Sequence, residues 1–175
     1  MPEPLLEEVI SPSEVAAAVE RLAKLINRDY KDKELVLVGV LKGSFIFMAD
    51  LVRHLEIPVK IEFVRASSYG SGTSSKGAVE LGGMDLEIQG QDVIVVEDII
   101  DTGQTLAAII ARMESKGPAS IKVCTLLDKP SRRKTDYRPD YVGIKVEDVF
   151  LVGYGLDHAE NHRHLKGLYK FTPQS

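Results

Sequence analysis

At 175 residues, 44% of them hydrophobic, the chain fits one domain with an ordinary buried core, expected to span 1–175. A net charge of −4 with 27% charged residues provides no overall basic field, so neither nucleic acid nor an anionic membrane is expected as a partner. The N-terminus MPEPLLEEVI lacks the basic start and apolar centre of a signal peptide, and no run approaches about 18 to 20 apolar residues; with Cys124 as the only cysteine, inside IKVCTLL, the expectation is a cytoplasmic protein with a buried thiol.

Ser11-Pro12-Ser13-Glu14 has the form of a capping box with proline at the first helical position, which predicts a helix start. Val15, Ala18, Val19, Leu22, Leu25 and Ile26 recur at intervals of three and four, extending that helix to about Tyr30 with one buried stripe. LVLVGV (35–40) reads as a strand covered on both faces. After Leu41-Lys42-Gly43, the spacing of Phe45, Met48, Ala49, Val52 and Leu55 gives a second helix, and Pro58 introduces the strand VKIEFVRA. Residues 67–77, SSYGSGTSSKG, have no hydrophobic periodicity and predict a mobile loop; on composition alone a plain linker serves as well. DVIVVED (92–98) is a third buried strand, Gln104 to Lys116 a helix stopped by Gly117-Pro118, and SIKVCTLLD a fourth strand. Beyond the basic turn KPSRRK come short strands near YVGIKV and VFLVGYG, a polar His-rich segment and a tail ending in LYKF. This alternation predicts an α/β fold with an open, mostly parallel sheet flanked by helices.

In such sheets ligands sit beyond the carboxyl ends of the strands, and VVEDIIDTGQTL (95–106) occupies that position. Gly103 permits close backbone approach and Thr102 and Thr105 add hydroxyls to the free N–H groups of a helix start, so the turn suits a phosphate. Equally, Thr102 is a candidate cap for the helix, with Glu97, Asp98 and Asp101 as solvated acids. Acids beside a phosphate repel it unless they face hydroxyls, a divalent cation or a proton to be removed.

The stretch resembles the phosphoribosyl-pyrophosphate (PRPP) motif of the type I phosphoribosyltransferases: apolar residues, two adjacent acids, two apolar residues, a variable residue, Thr-Gly-x-Thr. In that family the variable residue is Asp in the hypoxanthine-guanine enzymes, as Asp101 is here. LVGVLKGSFIFMADL is similar to the family's pyrophosphate loop, in which the Leu-Lys peptide is cis, and SSYGSG to its mobile catalytic loop. LLDKPSRR and VFLVGYGLDHAENHRHL are similar to its purine-recognising and C-terminal segments. Two runs depart from the common pattern: Val146-Glu147-Asp148-Val149-Phe150 where Ile-Pro-Asp precedes a charged residue and Phe, and His164-Leu165-Lys166-Gly167 where Leu-Pro-Tyr is frequent. The first bears on the rim of the base pocket.

The resemblance implies a small hood of N- and C-terminal segments over the sheet, a Mg²⁺-dependent transfer from PRPP to a 6-oxopurine, and a homodimer or homotetramer. It implies PRPP binding by Gly43, Glu97, Asp98, Asp101, Thr102, Gly103, Gln104 and Thr105, with Glu97 and Asp98 toward the ribose hydroxyls. Asp101 becomes the general base at purine N7, and Lys42, Arg163, Ser68 and Tyr69 meet the pyrophosphate. Lys129 donates to the purine O6, Phe150 stacks on the ring, and Leu151 and Asp157 read its other edges. Asp157 is the leading metal ligand, with Glu97 and Asp98 beside it. Without the resemblance Phe150 is a core residue, and Arg132, Arg133 and Lys134 belong to a solvated basic turn. His158, His162 and His164 invite a zinc reading on a helical face, which the lack of an accompanying Cys disfavours. A receiver-type domain leaves too few residues after Asp98, and a non-catalytic PRPP sensor would not need Asp101, Lys42 or the Ser-Tyr loop.

Overall fold

The computed structural model describes residues 4–68 and 79–174. Helix α1 (Pro12–Asp29) begins where the capping box requires. Glu14 N–H donates to Ser11 Oγ at 3.2 Å and Ser11 N–H to Glu14 Oε2 at 2.7 Å, which satisfies two donors that a helix start otherwise leaves orphaned. Its buried stripe is Val15, Ala18, Val19, Leu22, Ala23 and Ile26, while Leu25 is half-buried against the same core.

Strand β2 (Leu35–Leu41) runs through the middle of a six-stranded sheet, parallel to β3 (Val59–Ser68) on one side and β5 (Asp92–Ile100) on the other. Strands β6 (Ser120–Asp128) and β7 (Tyr141–Lys145) continue the parallel set, and β4 (Val79–Gly82) adds to β3 antiparallel, giving the order β4-β3-β2-β5-β6-β7. Leu37 and Ile94 join Leu22 of α1 and Phe47 of α2 (Phe45–Arg53) in one apolar cluster. Val38 and Val95 point the other way, to Ile109 and Met113 of α3 (Gln104–Glu114). Both faces are thus covered, which is why β2 and β5 read as unbroken apolar runs.

The hood is a second, three-stranded antiparallel sheet in the order β1-β9-β8, from β1 (Leu5–Ile10), β9 (Leu168–Thr172) and β8 (Leu151–Val152). In LLEEVI only Ile10 is buried, so β1 carries no alternation to betray it. Strand β4 is likewise too short to read from sequence. Ser67 and Ser68, expected in the loop, instead extend β3 and pair with Glu80 and Val79. The rest of that loop, with Tyr69, lies outside the described residues. Along the carboxyl edge of the sheet the connections after β2, β5 and β6 lie side by side, and the hood segment 153–165 joins them.

Candidate functional site

Helix α3 opens differently from α1. Its N-cap is Gly103, in the left-handed region at φ 82°, and no side chain caps it; Thr102 Oγ reaches only the Gln104 N–H, at a weak 3.4 Å. Thr102 is therefore not the cap that one reading of the sequence allowed. Gln104 is exposed as the first helical residue, and Thr105 follows half-buried. These uncapped donors border a cavity of about 200 Å³ lined by Gly43, Glu97, Asp98, Thr102, Gly103 and Thr105. Such a helix start favours an anion.

The basic turn is not simply solvated. Arg133 forms an ion pair with Asp128 in which the two side chains are 5% and 7% exposed. Its Nη1 donates to Tyr137 O at 2.9 Å and its Nε to Asp101 O at 3.3 Å. Lys134 N–H donates to Thr102 O at 2.9 Å. A Cβ at position 103 would lie 2.5 Å from Thr135 Oγ1 and 3.0 Å from Arg133 Cδ. The turn after β6 thus buttresses the 101–103 loop from behind. Arg132 engages the front: its Nε donates to Asp101 Oδ1 at 2.8 Å and its Nη1 lies 3.5 Å from Asp148 Oδ2.

Glu97 is 8% exposed, and its burial first, then the neighbouring Asp98 carboxylate, hold its carboxyl well above the usual range. Burial also pushes Asp98 up to about 6, against the Ile99 N–H that its Oδ1 accepts at 2.8 Å and the opposing charge of Arg163. Asp98 packs directly on Gly43, leaving no room there for a Cβ, and a Cβ at Gly155 (φ 97°) would run into the Gly43 carbonyl oxygen. The ends of β2 and β5 and the hood segment meet at this point. Beside it the Leu41-Lys42 peptide is cis.

Lys42 Nζ lies 2.7 Å from Glu160 Oε2. Arg163 donates from Nη1 to Gly155 O at 2.7 Å, and its Nη2 lies 3.1 Å from Asp157 Oδ1 and 3.2 Å from Glu160 Oε1. The other oxygen of Asp157 accepts the Glu160 N–H at 2.8 Å. Among the described residues no three His, Cys, Asp or Glu groups converge as a cage. Carboxylate oxygens from Asp157, with Glu97 and Asp98 near the adjoining cavity, suit a hard cation such as Mg²⁺, which takes one or two carboxylates and completes its shell from phosphates and water.

A second cavity of about 220 Å³ adjoins the first, sharing Asp98 and Asp101 and bringing in Lys129, Phe150, Leu151 and Asp157. Lys129 is only 6% exposed, and among the described residues no carboxylate pairs with it within 4.0 Å. Leu151 is buried in β8, whereas Phe150 is 52% exposed and is no core residue. Phe150 meets His158 and Phe171 edge-on, with ring centroids 5.7 and 5.8 Å apart. The segment after β8 is not helical. Tyr154, Ala159, Glu160 and His162 have positive φ, so the i, i+4 premise of a zinc site fails. His158 stacks on Phe171 at 4.2 Å, His162 tilts against the same ring at 5.8 Å, and His164 lies apart, near Asp50 and Tyr154.

Arg132 and Glu160 carry no signal in a lone sequence, because each is defined by a partner 31 or 118 positions away. Asp128 offered the one clue for Arg133, since an acid ending a buried strand requires a counter-charge.

The sequence profile of the phosphoribosyl transferase domain matches residues 8–159. Hypoxanthine phosphoribosyltransferase of Salmonella typhimurium is 47% identical over 163 residues, 91% of this chain and 92% of that protein. Hypoxanthine-guanine phosphoribosyltransferase of Bacillus subtilis is 42% identical over 158 residues, 90% and 88% of the two chains. The crystal structure of a hypoxanthine-guanine phosphoribosyltransferase from Bacillus anthracis superposes with a TM-score of 0.90 at 42% identity, covering 97% of this chain and 100% of that one. The chain belongs to the phosphoribosyl transferase family. Within that family its sequence and backbone group with the hypoxanthine and hypoxanthine-guanine enzymes. Across the described residues, no helix is long and apolar enough to cross a membrane.

Two outcomes follow from the buried charges. Arg133→Ala leaves Asp128 buried and unpaired, so denaturant unfolding should show a loss of about 3 to 5 kcal/mol; a loss below about 1 kcal/mol would contradict the buttress. Asp98 keeps its proton to a higher pH in the folded chain than in the unfolded one, so the folded state binds more protons and stability falls as pH rises through about 6. In metal-free protein, unfolding followed from about pH 4 to about pH 6.5 should show this decline, and Asp98→Asn should reduce it, leaving the part due to Glu97. Parallel profiles for the two proteins would refute the assignment.

Proposed function

We propose that the chain acts as a single-domain purine-salvage enzyme, transferring the 5-phosphoribosyl group from PRPP to hypoxanthine, and to guanine, with release of pyrophosphate. The observation that carries this reading is the pair of adjoining cavities. One is bordered by an uncapped helix start suited to a phosphate; the other gathers an acid, a buried ammonium and an exposed aromatic ring.

The 5′-phosphate takes the N–H groups of residues 101–105 with the Thr102 and Thr105 hydroxyls. Glu97 and Asp98 accept from the ribose 2′- and 3′-hydroxyls, which adds donors to two acids whose burial opposes their charge. The bond from C1′ to the pyrophosphate oxygen breaks as the bond from C1′ to purine N9 forms, and Asp101 takes the proton that the purine loses from N7. Arg132 occupies Asp101 Oδ1, so Oδ2 is the oxygen that receives it. Lys129 donates to O6, an acceptor that suits an ammonium paired with no carboxylate among the described residues, and Phe150 stacks on the ring. Leu151 and Asp157 read the remaining edges. Lys42 and Arg163 stabilise the negative charge that gathers on the departing pyrophosphate, with Ser68 and Tyr69 assigned to it as further hydroxyl donors. Mg²⁺ held by Asp157, with Glu97 and Asp98 near it, would supply further positive charge there.

An assay with PRPP and each of hypoxanthine, guanine, xanthine and adenine tests the reading. Hypoxanthine and guanine should yield nucleotide, with no turnover after chelation of Mg²⁺. Adenine presents an amino group to a donor and should react at least about 100-fold more slowly. Asp101→Ala should lower kcat by about 10² to 10⁴. No product from any 6-oxopurine sinks the proposal, and full turnover by Asp101→Ala removes the general-base role.

We propose further that the chain forms a homodimer or homotetramer through the open face of β3 and α2, where Phe45, Ile61 and Phe63 are 45%, 43% and 40% exposed. Light scattering should give a multiple of the 19.3 kDa chain; a monomeric mass would overturn this.

A further inference from the structure

Lys42 and Arg163 reach the site from different parts of the fold, yet a single carboxylate joins them. Glu160 directs Oε2 to Lys42 Nζ at 2.7 Å and Oε1 to Arg163 Nη2 at 3.2 Å. Each oxygen faces one cation. The geometry is imposed from below: Glu160 has left-handed backbone at φ 65°, and its N–H donates to Asp157 Oδ2 at 2.8 Å. Asp157 in turn holds Arg163 at 3.1 Å through its other oxygen. The turn 157–160 therefore delivers a carboxylate to the gap between two cations that otherwise have an anionic ligand to meet.

We propose that Glu160 stands in for pyrophosphate in the ligand-free site: it bridges Lys42 and Arg163 with its two oxygens and competes with pyrophosphate for them. The inference rests on the pyrophosphate role given to Lys42 and Arg163 above. Exposure fits a displaceable contact. The side chains of Glu160 and Lys42 are 64% and 57% exposed, and exposed ion pairs are individually weak and easily exchanged. Pyrophosphate brings several negative charges and more acceptor oxygens, so it outcompetes one carboxylate for both cations. The same competition helps the product to leave, because the cations have somewhere to go when it departs.

Glu160→Gln removes the competing charge and keeps the shape. Calorimetric titration of the full-length variant with pyrophosphate in the presence of Mg²⁺ should give a Kd roughly three- to tenfold lower than wild type. Glu160→Asp, which keeps the charge, should return toward the wild-type value. Adding Lys42→Ala to Glu160→Gln should abolish the gain. An unchanged Kd in Glu160→Gln overturns the proposal, and a higher Kd overturns it in favour of Glu160 merely positioning the cations. If Lys42→Ala alone leaves pyrophosphate affinity untouched while nucleotide is still formed, the pyrophosphate assignment fails and the proposal with it, but the transferase activity stands. Absence of both binding and turnover in wild type would instead remove the proposed function.

Discussion

The site depends on one steric constraint, the close approach of three backbone segments around Gly43. Asp98 presses on its Cα from the end of β5, and Gly155 of the hood segment presses on its carbonyl oxygen. With a side chain at either glycine, the hood and the sheet edge would have to separate. That would carry Arg163 and Glu160 away from Lys42, since the first two follow Gly155 and the third precedes Gly43. The charged contacts across the site are individually modest surface interactions. What sets their distances is backbone packing in which neither partner can retreat without breaking the sheet or the hood.

A second theme is how negative and positive groups share a small volume. Two acids sit at the buried end of β5, where desolvation opposes their charge. A few residues later the chain turns through Gly103 into a helix start that favours negative charge from outside. The buried Asp128–Arg133 pair holds the turn between them, and Arg132 reaches over to Asp101. An arrangement of this kind is less stable than an apolar one of equal volume, which is the usual relation between a working site and the fold that carries it.

Much of the architecture was legible in the sequence because its signals are local. The capping box at Ser11 fixed the start of α1, the run SIKVCTLLD gave β6 its full extent, and the apolar runs of β2 and β5 announced strands covered on both faces. Where the signal was weak the reading stopped short. β1 buries a single residue, β4 is four residues long, and β3 continues through Ser67 and Ser68 although their composition suggests a loop. Several candidate site residues were legible as a list, and the cavities then gathered Lys129, Phe150 and Asp157 beside Asp101. The contacts that hold them were not legible. Arg133 looked like one more charge in a basic turn, and Glu160 like a polar residue in a His-rich stretch, since the partner of Glu160 lies 118 positions away and leaves no local periodicity.

The two long helices end in opposite ways at their N-termini. Helix α1 is finished by its own Ser11 and Glu14, whereas α3 has no side chain to finish it. An anion that settles on α3 therefore completes the fold as well as occupying a site, and it favours the native state in proportion to the logarithm of its concentration over its dissociation constant. A ligand bound there and not to the unfolded chain would lower the population open to proteases, so mass action alone would couple the amount of folded chain to the supply of that ligand.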